Sequence, residues 1–342
     1  MRILYIGEDS PYSTSFHRAE ALRRIGCSVN IINPNSVTKR IHKIKYKIHY
    51  RTGYRFLQKR MLLWLDSELK SKDYDLVWIN SGELFGEECL NLIKQKLKVP
   101  IILYNNDDPT GGRDGRRFDS LLKAIPNYDM CVVMRDINVN EYTKLGARKV
   151  LKVYMSYDEI YHAPISNNNF SDSFKSEVSF IGTNIPNDNR DIFLHTLIKY
   201  GVPLSIWGGR WEKSPYWNQL KPYFKGQTLK GKDYISAIQG SKICLGLLSK
   251  GNRDLHTTRT FEIPFIGSLL CAERTSEHLE LFDENLEAVF WNSAEECAEK
   301  CKELLKNQLL INQISNNGRK RLINDGRGNE NVVKHILSEI NN

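Results

Sequence analysis

The stretch Asp254-Leu255-His256-Thr257-Thr258-Arg259-Thr260-Phe261-Glu262-Ile263-Pro264-Phe265-Ile266-Gly267 gathers residue types suited to holding a phosphorylated ligand. It reads as a polar loop entering a short helix, closed by glycine before an apolar strand. Thr257 or Thr258 is placed to cap that helix, and Thr260 follows within its first turn. Pro264 is expected early in it, where a missing N–H does little harm. A helix start presents free N–H groups and the positive end of the dipole, a cradle for phosphate. Arg259 adds a planar donor fork. Glu262, one turn on, can accept hydrogen bonds from sugar hydroxyls. The plain alternative is a surface Arg259–Glu262 ion pair worth only about a few tenths of a kcal/mol.

Other positions carry weaker signals of the same kind. Val178–Ile181 reads as a strand, followed by Gly182, Thr183 and then Arg190. A glycine turn and one cation opening the next helix can set backbone amides beside a pyrophosphate. Lys250 lies just past the apolar run Ile243–Leu248, within reach of the same group. In the amino-terminal half, Gly7-Glu8-Asp9-Ser10 leads to His17, a base or hydroxyl partner near the start of a helix. Tyr104-Asn105-Asn106-Asp107-Asp108-Pro109 ends a strand. Adjacent side chains of extended backbone point opposite ways. One of Asp107 and Asp108 is therefore expected to face substrate, as a base or an orienting group, and the other to cap the turn. No Asp-x-Asp metal pair is convincingly placed, so no metal is expected.

These residues need elements to hold them. Apolar runs at Ile3–Ile6, Val29–Ile32, Leu76–Ile79, Ile101–Tyr104, Met130–Met134 and Val150–Met155 alternate with amphipathic stretches such as Phe16–Ile25 and Phe85–Leu97. A polar break at Asn167–Ser173 follows. The alternation restarts with Val178–Ile181, Leu204–Trp207, Ile243–Leu248, Ser268–Cys271 and Ala288–Trp291. Near-continuous apolar strands between helices mark parallel sheets covered on both faces. The expected class is α/β, with two Rossmann-like doubly wound domains over residues 1–165 and 172–325 and a last helix, 326–342, packing back on the first. Ligands in such sheets sit beyond the carboxyl ends of the strands, and Trp207 reads as core.

With 342 residues the chain is long enough for two cores. Its net charge of +9 points to anionic partners. Nine cations stand from Lys39 to Arg60 without an acidic residue, interleaved with Tyr46, Tyr50, Tyr54 and Phe56. That run suits an anionic membrane surface or acceptor, or a solvated helix face; nucleic acid is disfavoured because no binding motif accompanies it. Cys297 and Cys301, four apart on an expected helix, read as packing because no partner pair with ligand spacing stands nearby. The apolar start Ile3–Ile6 reads as a strand rather than a leader, and a cytoplasmic protein, peripheral at most at the inner membrane face, is expected.

The stretch from Arg259 resembles the donor-site motif of GT-B glycosyltransferases of group 1, in particular the branch similar to spore-maturation protein CgeB, in which an Arg-x-Phe-Glu helix precedes a glycine. Arg259, Phe261, Glu262 and Gly267 match it. The wider group carries two glutamates separated by seven residues; Glu262 takes the second position and Asp254, a shorter carboxylate, the first. The Asp-Pro at Asp108-Pro109 also resembles the branch. The resemblance implies a nucleotide-diphosphate sugar of UDP or GDP type as donor, no other cofactor, Glu262 on the ribose and Arg259 on the diphosphate. It implies Gly208 and its neighbours near the base, and transfer to an acceptor hydroxyl, for which a glycan, a lipid-linked carrier suited to the basic run, or another acceptor stays open. It leans to retention of configuration. The rival expectations are an epimerase of the same fold and a non-catalytic binder of anionic polymer.

Overall fold

The computed structural model describes residues 1–70, 73–166 and 169–340; Asn167 and Asn168 of the expected break lie outside the described residues. The chain divides into two units, Met1–Tyr154 joined by the segment from Asn329 onward, and Met155–Gly328.

In the first unit six strands form one sheet: β1 (Arg2–Ile6), β2 (Ser28–Ile32), β3 (Leu76–Asn80), β4 (Ile101–Asn105), β5 (Met130–Val133) and β6 (Val150–Lys152). Their order is β2-β1-β3-β4-β5-β6, and every neighbouring pair is parallel. All five residues of β4 are buried, as a strand covered on both faces must be. Helices Gln58–Glu68 and Glu87–Leu97 drive Met61, Leu65, Leu90 and Ile93 into the core against this sheet. Helix Asn329–Ile340 lies on helix Thr14–Arg24. It buries Val333 and Ile336, and is pinned by Arg24–Glu330 at 2.6 Å and Lys149–Glu339 at 2.9 Å.

In the second unit β7 (Ser176–Ile181), β8 (Leu204–Trp207), β9 (Phe224–Gly226), β10 (Ser241–Gly246), β11 (Leu269–Glu273) and β12 (Val289–Trp291) form a parallel sheet in the order β12-β11-β10-β7-β8-β9. Strand β9 has no counterpart in the sequence reading, since Phe224-Lys225-Gly226 carries a single large apolar side chain. Trp207 is buried, in line with its core reading. Cys297 and Cys301 of helix Ala294–Leu304 meet a third thiol, Cys271 of β11, with Sγ of Cys271 and Cys297 4.0 Å apart. All three are sealed among apolar side chains of this core.

The strand order reverses between β1 and β3 in the first sheet and between β7 and β10 in the second. The loops leaving the carboxyl ends of these strands diverge there and open a crevice. No helix among the described residues is long and apolar enough to cross a membrane.

Candidate functional site

In the first unit a cavity of 330 Å³ opens where β1, β3 and β4 end, lined by Gly7, Glu8, Arg18, Asn80, Glu83, Asp107 and Arg117 among others. Gly7 has no room for a side chain: a Cβ there would lie 2.5 Å from Ser15 Oγ and 2.7 Å from the Tyr5 ring. Helix Thr14–Arg24 starts on Ser13, whose Oγ accepts from Phe16 N–H at 3.1 Å. It delivers Arg18, buried, over the Tyr104 ring at 4.1 Å, with Nη2 and Nε donating to Asn80 Oδ1 at 2.9 and 3.2 Å.

Across the cavity Arg117 pairs with Glu83 and stands 3.7 Å from Asp107. Burial pushes the Glu83 carboxyl above its usual range, with Arg117 opposing. Burial also works against the Arg117 charge, but Glu83 and Asp107 hold that guanidinium above its ordinary value. The two aspartates diverge. Asp107 lines the cavity, while Asp108 is buried and accepts from Asn138 Nδ2 at 2.8 Å.

His17 is buried with Nε2 3.0 Å from the Pro11 carbonyl, bracing its own loop. The Ser10 carbonyl accepts from Ser13 N–H and Oγ, both at 2.9 Å. Gly7, Glu8 and Asp107 are thus brought to one cavity, whereas Ser10, His17 and Asp108 are not among its lining. Arg18, Asn80, Glu83 and Arg117 were missed; only Asn80 and Glu83 carried a signal, their place at the end of a strand.

In the second unit helix Thr258–Ile266 begins with a reciprocal cap. Thr257 Oγ1 takes the Thr260 N–H, and Thr260 Oγ1 takes the Thr257 N–H at 3.1 Å. Pro264 is the seventh helical residue, not an early one as the sequence suggested, because this cap fixes the start at Thr258. The helix then ends at Gly267, φ 112°, where glycine is at ease.

One turn of this helix brings Thr258, Arg259 and Glu262 together. Glu262 is buried; its Oε2 accepts from Tyr234 Oη at 2.5 Å and from Arg259 Nη1 at 3.0 Å, and its Oε1 lies 3.6 Å from His162 Nε2. The carboxylate thus meets a phenol and a guanidinium of the protein itself, at the position the resemblance assigns to the donor ribose. Arg259 stands over the Tyr234 ring at 4.8 Å, and its Nη1 also reaches Thr258 Oγ1 at 3.3 Å. Burial holds the Tyr234 phenol well above its ordinary pKa, so it stays a donor to Glu262. Burial weighs against the Arg259 charge, but Tyr234 and Glu262 more than restore it.

Behind the cap, Thr260 Oγ1 meets His278 Nε2 at 2.9 Å, and His278 Nδ1 reaches the Glu273 carbonyl at 2.6 Å. His256 Nε2 accepts from Met155 N–H at 3.1 Å, leaving Nδ1–H for Glu277 at 2.5 Å.

The loops beside this helix are tightly bound. Gly208, φ 140°, lies so close to the loop after β7 that a Cβ would sit 2.0 Å from the Gly182 carbonyl oxygen. Arg190 is buried and ties two loops, donating to the carbonyls of Thr183 at 3.0 Å and Leu248 at 3.1 Å. Lys250 pairs with Glu273. Arg190 and Lys250 line a second cavity of 400 Å³, whose lining includes none of the helix residues from Thr258 to Glu262. Asp254 is buried, its N–H on the Ser249 carbonyl at 3.4 Å.

Comparison with known proteins fits this arrangement. Residues 190–338 match the model of a family described as glycosyl transferase-like. HepE from Anabaena, solved with UDP, superposes with a TM-score of 0.66 at 11% identity, covering 99% of this chain and all of that one. Sucrose-phosphate synthase from Thermosynechococcus elongatus gives 0.68 at 11% identity over 99% and 98% of the two chains. The chain has the GT-B fold. A third neighbour, MnaA of S. aureus solved with UDP, gives 0.57 at 13% identity over 99% and 97%. No curated protein sequence matches the chain. In GT-B terms, the Gly7 cavity and the helix from Thr258 each belong to one of the two Rossmann-like units.

Proposed function

We propose that the protein transfers a sugar from a nucleotide-diphosphate donor to a hydroxyl of a glycan, a lipid-linked carrier or another acceptor. The observation that carries this reading is the capped start of helix Thr258–Ile266, where Glu262 aims Arg259, inside a segment that matches a glycosyl transferase-like model. Two neighbours solved with UDP support a uridine donor ahead of a guanosine one. The Arg259-x-Phe261-Glu262 pattern supports placement in the branch similar to CgeB, and the group 1 resemblance supports retention. We place the enzyme in the cytoplasm.

In this mechanism Arg259, Thr258 and the free N–H groups of the helix start meet the negative charge on the diphosphate as it leaves, without a metal. Glu262 is a positioning residue that holds Arg259 in place. Asp254, Gly182, Thr183 and Gly208 shape the adjoining loops, while Arg190 and Lys250 border them with positive charge. In the first unit Asp107, held beside Arg117 and Glu83, orients the acceptor hydroxyl in a retaining transfer; as a base taking that proton it would instead give inversion by direct attack.

The test is thermal denaturation with UDP. Ligand at about a hundred times its Kd adds about 2.7 kcal/mol of stability, so a clear upward shift in Tm is expected, and no shift with UDP or GDP contradicts the donor site. Asp107→Asn is expected to keep that shift and to lower kcat about a hundredfold or more. An unchanged kcat removes Asp107 from the reaction. A new sugar isomer formed from donor alone replaces transfer by epimerisation.

A further inference from the structure

The basic run of the first unit folds into helix Lys43–Arg51, a short turn, and helix Gln58–Glu68. Its aromatic residues do not share one role. Tyr46 and Tyr50 pack edge-on against buried Tyr54, at ring distances of 6.2 and 6.4 Å, and fasten the helix to the core. The opposite side of the segment shows Ile44, Ile48, Phe56 and Leu63, each more than half exposed.

Large aliphatic side chains one turn apart on the outer face of a helix are unusual for a surface bathed only in water. Here they stand among Lys43, Lys45, Lys47, Arg51, Arg55 and Lys59. From Thr38 to Leu65 the chain has no acidic residue, and among the described residues no carboxylate pairs with any of these cations. Arg55 lies over the Phe56 ring at 4.5 Å, a cation carried on an apolar wedge.

We propose that this face docks on an anionic lipid bilayer, with Ile44, Ile48 and Phe56 entering the headgroup–acyl boundary and the cations meeting lipid phosphates. A nucleic acid would engage the charges but has no use for isolated aliphatic side chains. A bilayer interface rewards both, since apolar burial and attraction to anionic headgroups add. This inference stands apart from the donor site, because none of these residues lies in the Gly7 cavity or on the helix from Thr258.

The experiment is flotation of the full chain with vesicles of phosphatidylcholine alone or with a third of phosphatidylglycerol, at low and high salt. Binding is expected only with phosphatidylglycerol, and weaker at high salt. The triple variant Ile44→Ser, Ile48→Ser, Phe56→Ser is expected to bind at least tenfold more weakly, with unchanged Tm and an unchanged UDP shift. Lys43→Gln with Lys45→Gln and Lys47→Gln is expected to weaken binding and flatten its salt dependence. Equal binding to neutral vesicles, no binding of the wild type, or wild-type binding by the serine variant each overturn the proposal. So does tighter capture of a single-stranded oligonucleotide that the serine variant retains. Loss of the UDP shift in the wild type speaks against the donor site and leaves this proposal standing.

Discussion

Replacing Glu262 by alanine is expected to lower the Tm of the Met155–Gly328 unit by about 6–12 °C and to abolish most of the stabilisation by UDP. Glu262 is 2% exposed and holds both the Tyr234 phenol and the Arg259 guanidinium. Removing the carboxylate strands a buried hydroxyl and frees a cation, a loss of about 3 kcal/mol. Arg259→Ala is expected to be destabilising too, because the buried Glu262 carboxylate keeps the Tyr234 hydroxyl but loses its cation. It also removes the charge proposed to meet the diphosphate, and kcat is expected to fall about 100- to 1000-fold, far beyond what the fraction still folded accounts for. Arg259→Lys is not expected to rescue, because an ammonium lacks the planar fork. Wild-type UDP affinity and turnover in Arg259→Ala would end the assignment of this helix.

The second large effect is a loss of stability in acid through His278. Burial pushes this imidazole down to about 4, against an ordinary value of 6.5. Folded, it stays neutral over that interval, whereas the unfolded chain takes up a proton near 6.5. The stability it confers is therefore complete above pH 6.5 and is lost as pH falls toward 4, about 3 kcal/mol in all. Protonation also removes the acceptor at Nε2 that Thr260 uses, and with it one support of the cap on which Arg259 stands. His278→Gln is expected to flatten the Tm profile between pH 6.5 and 4. A profile in the variant as steep as the wild type's would assign the acid loss to other groups.

Both sheets, β9 apart, were legible because parallel strands buried on two faces leave apolar runs such as Ile101–Tyr104, which few other elements produce. A cap at Thr257 or Thr258 was legible because it is local chemistry, and the four-residue box in the structure settles on Thr257. The partners of that helix were not. Tyr234 and His162 reach Glu262 from 28 and 100 positions away, and no spacing announces such a meeting. Arg18 and Arg117 read as ordinary surface cations until Tyr104, Asn80 and Glu83 are folded around them. In the basic run charge was easy to count, but the exposure of Ile44 and Ile48 depends on which side Tyr46 and Tyr50 choose, and two apolar sets on one short helix leave that open.

The helix Asn329–Ile340 belongs to the first unit although the whole second unit precedes it in the chain. On the ribosome the first sheet therefore waits with the surface of helix Thr14–Arg24 uncovered until 174 further residues, Met155–Gly328, have emerged. Nascent chains halted before Asn329 should be readily cleaved by protease around that helix, and held by chaperones. The middle unit, continuous in the chain, can close on its own schedule.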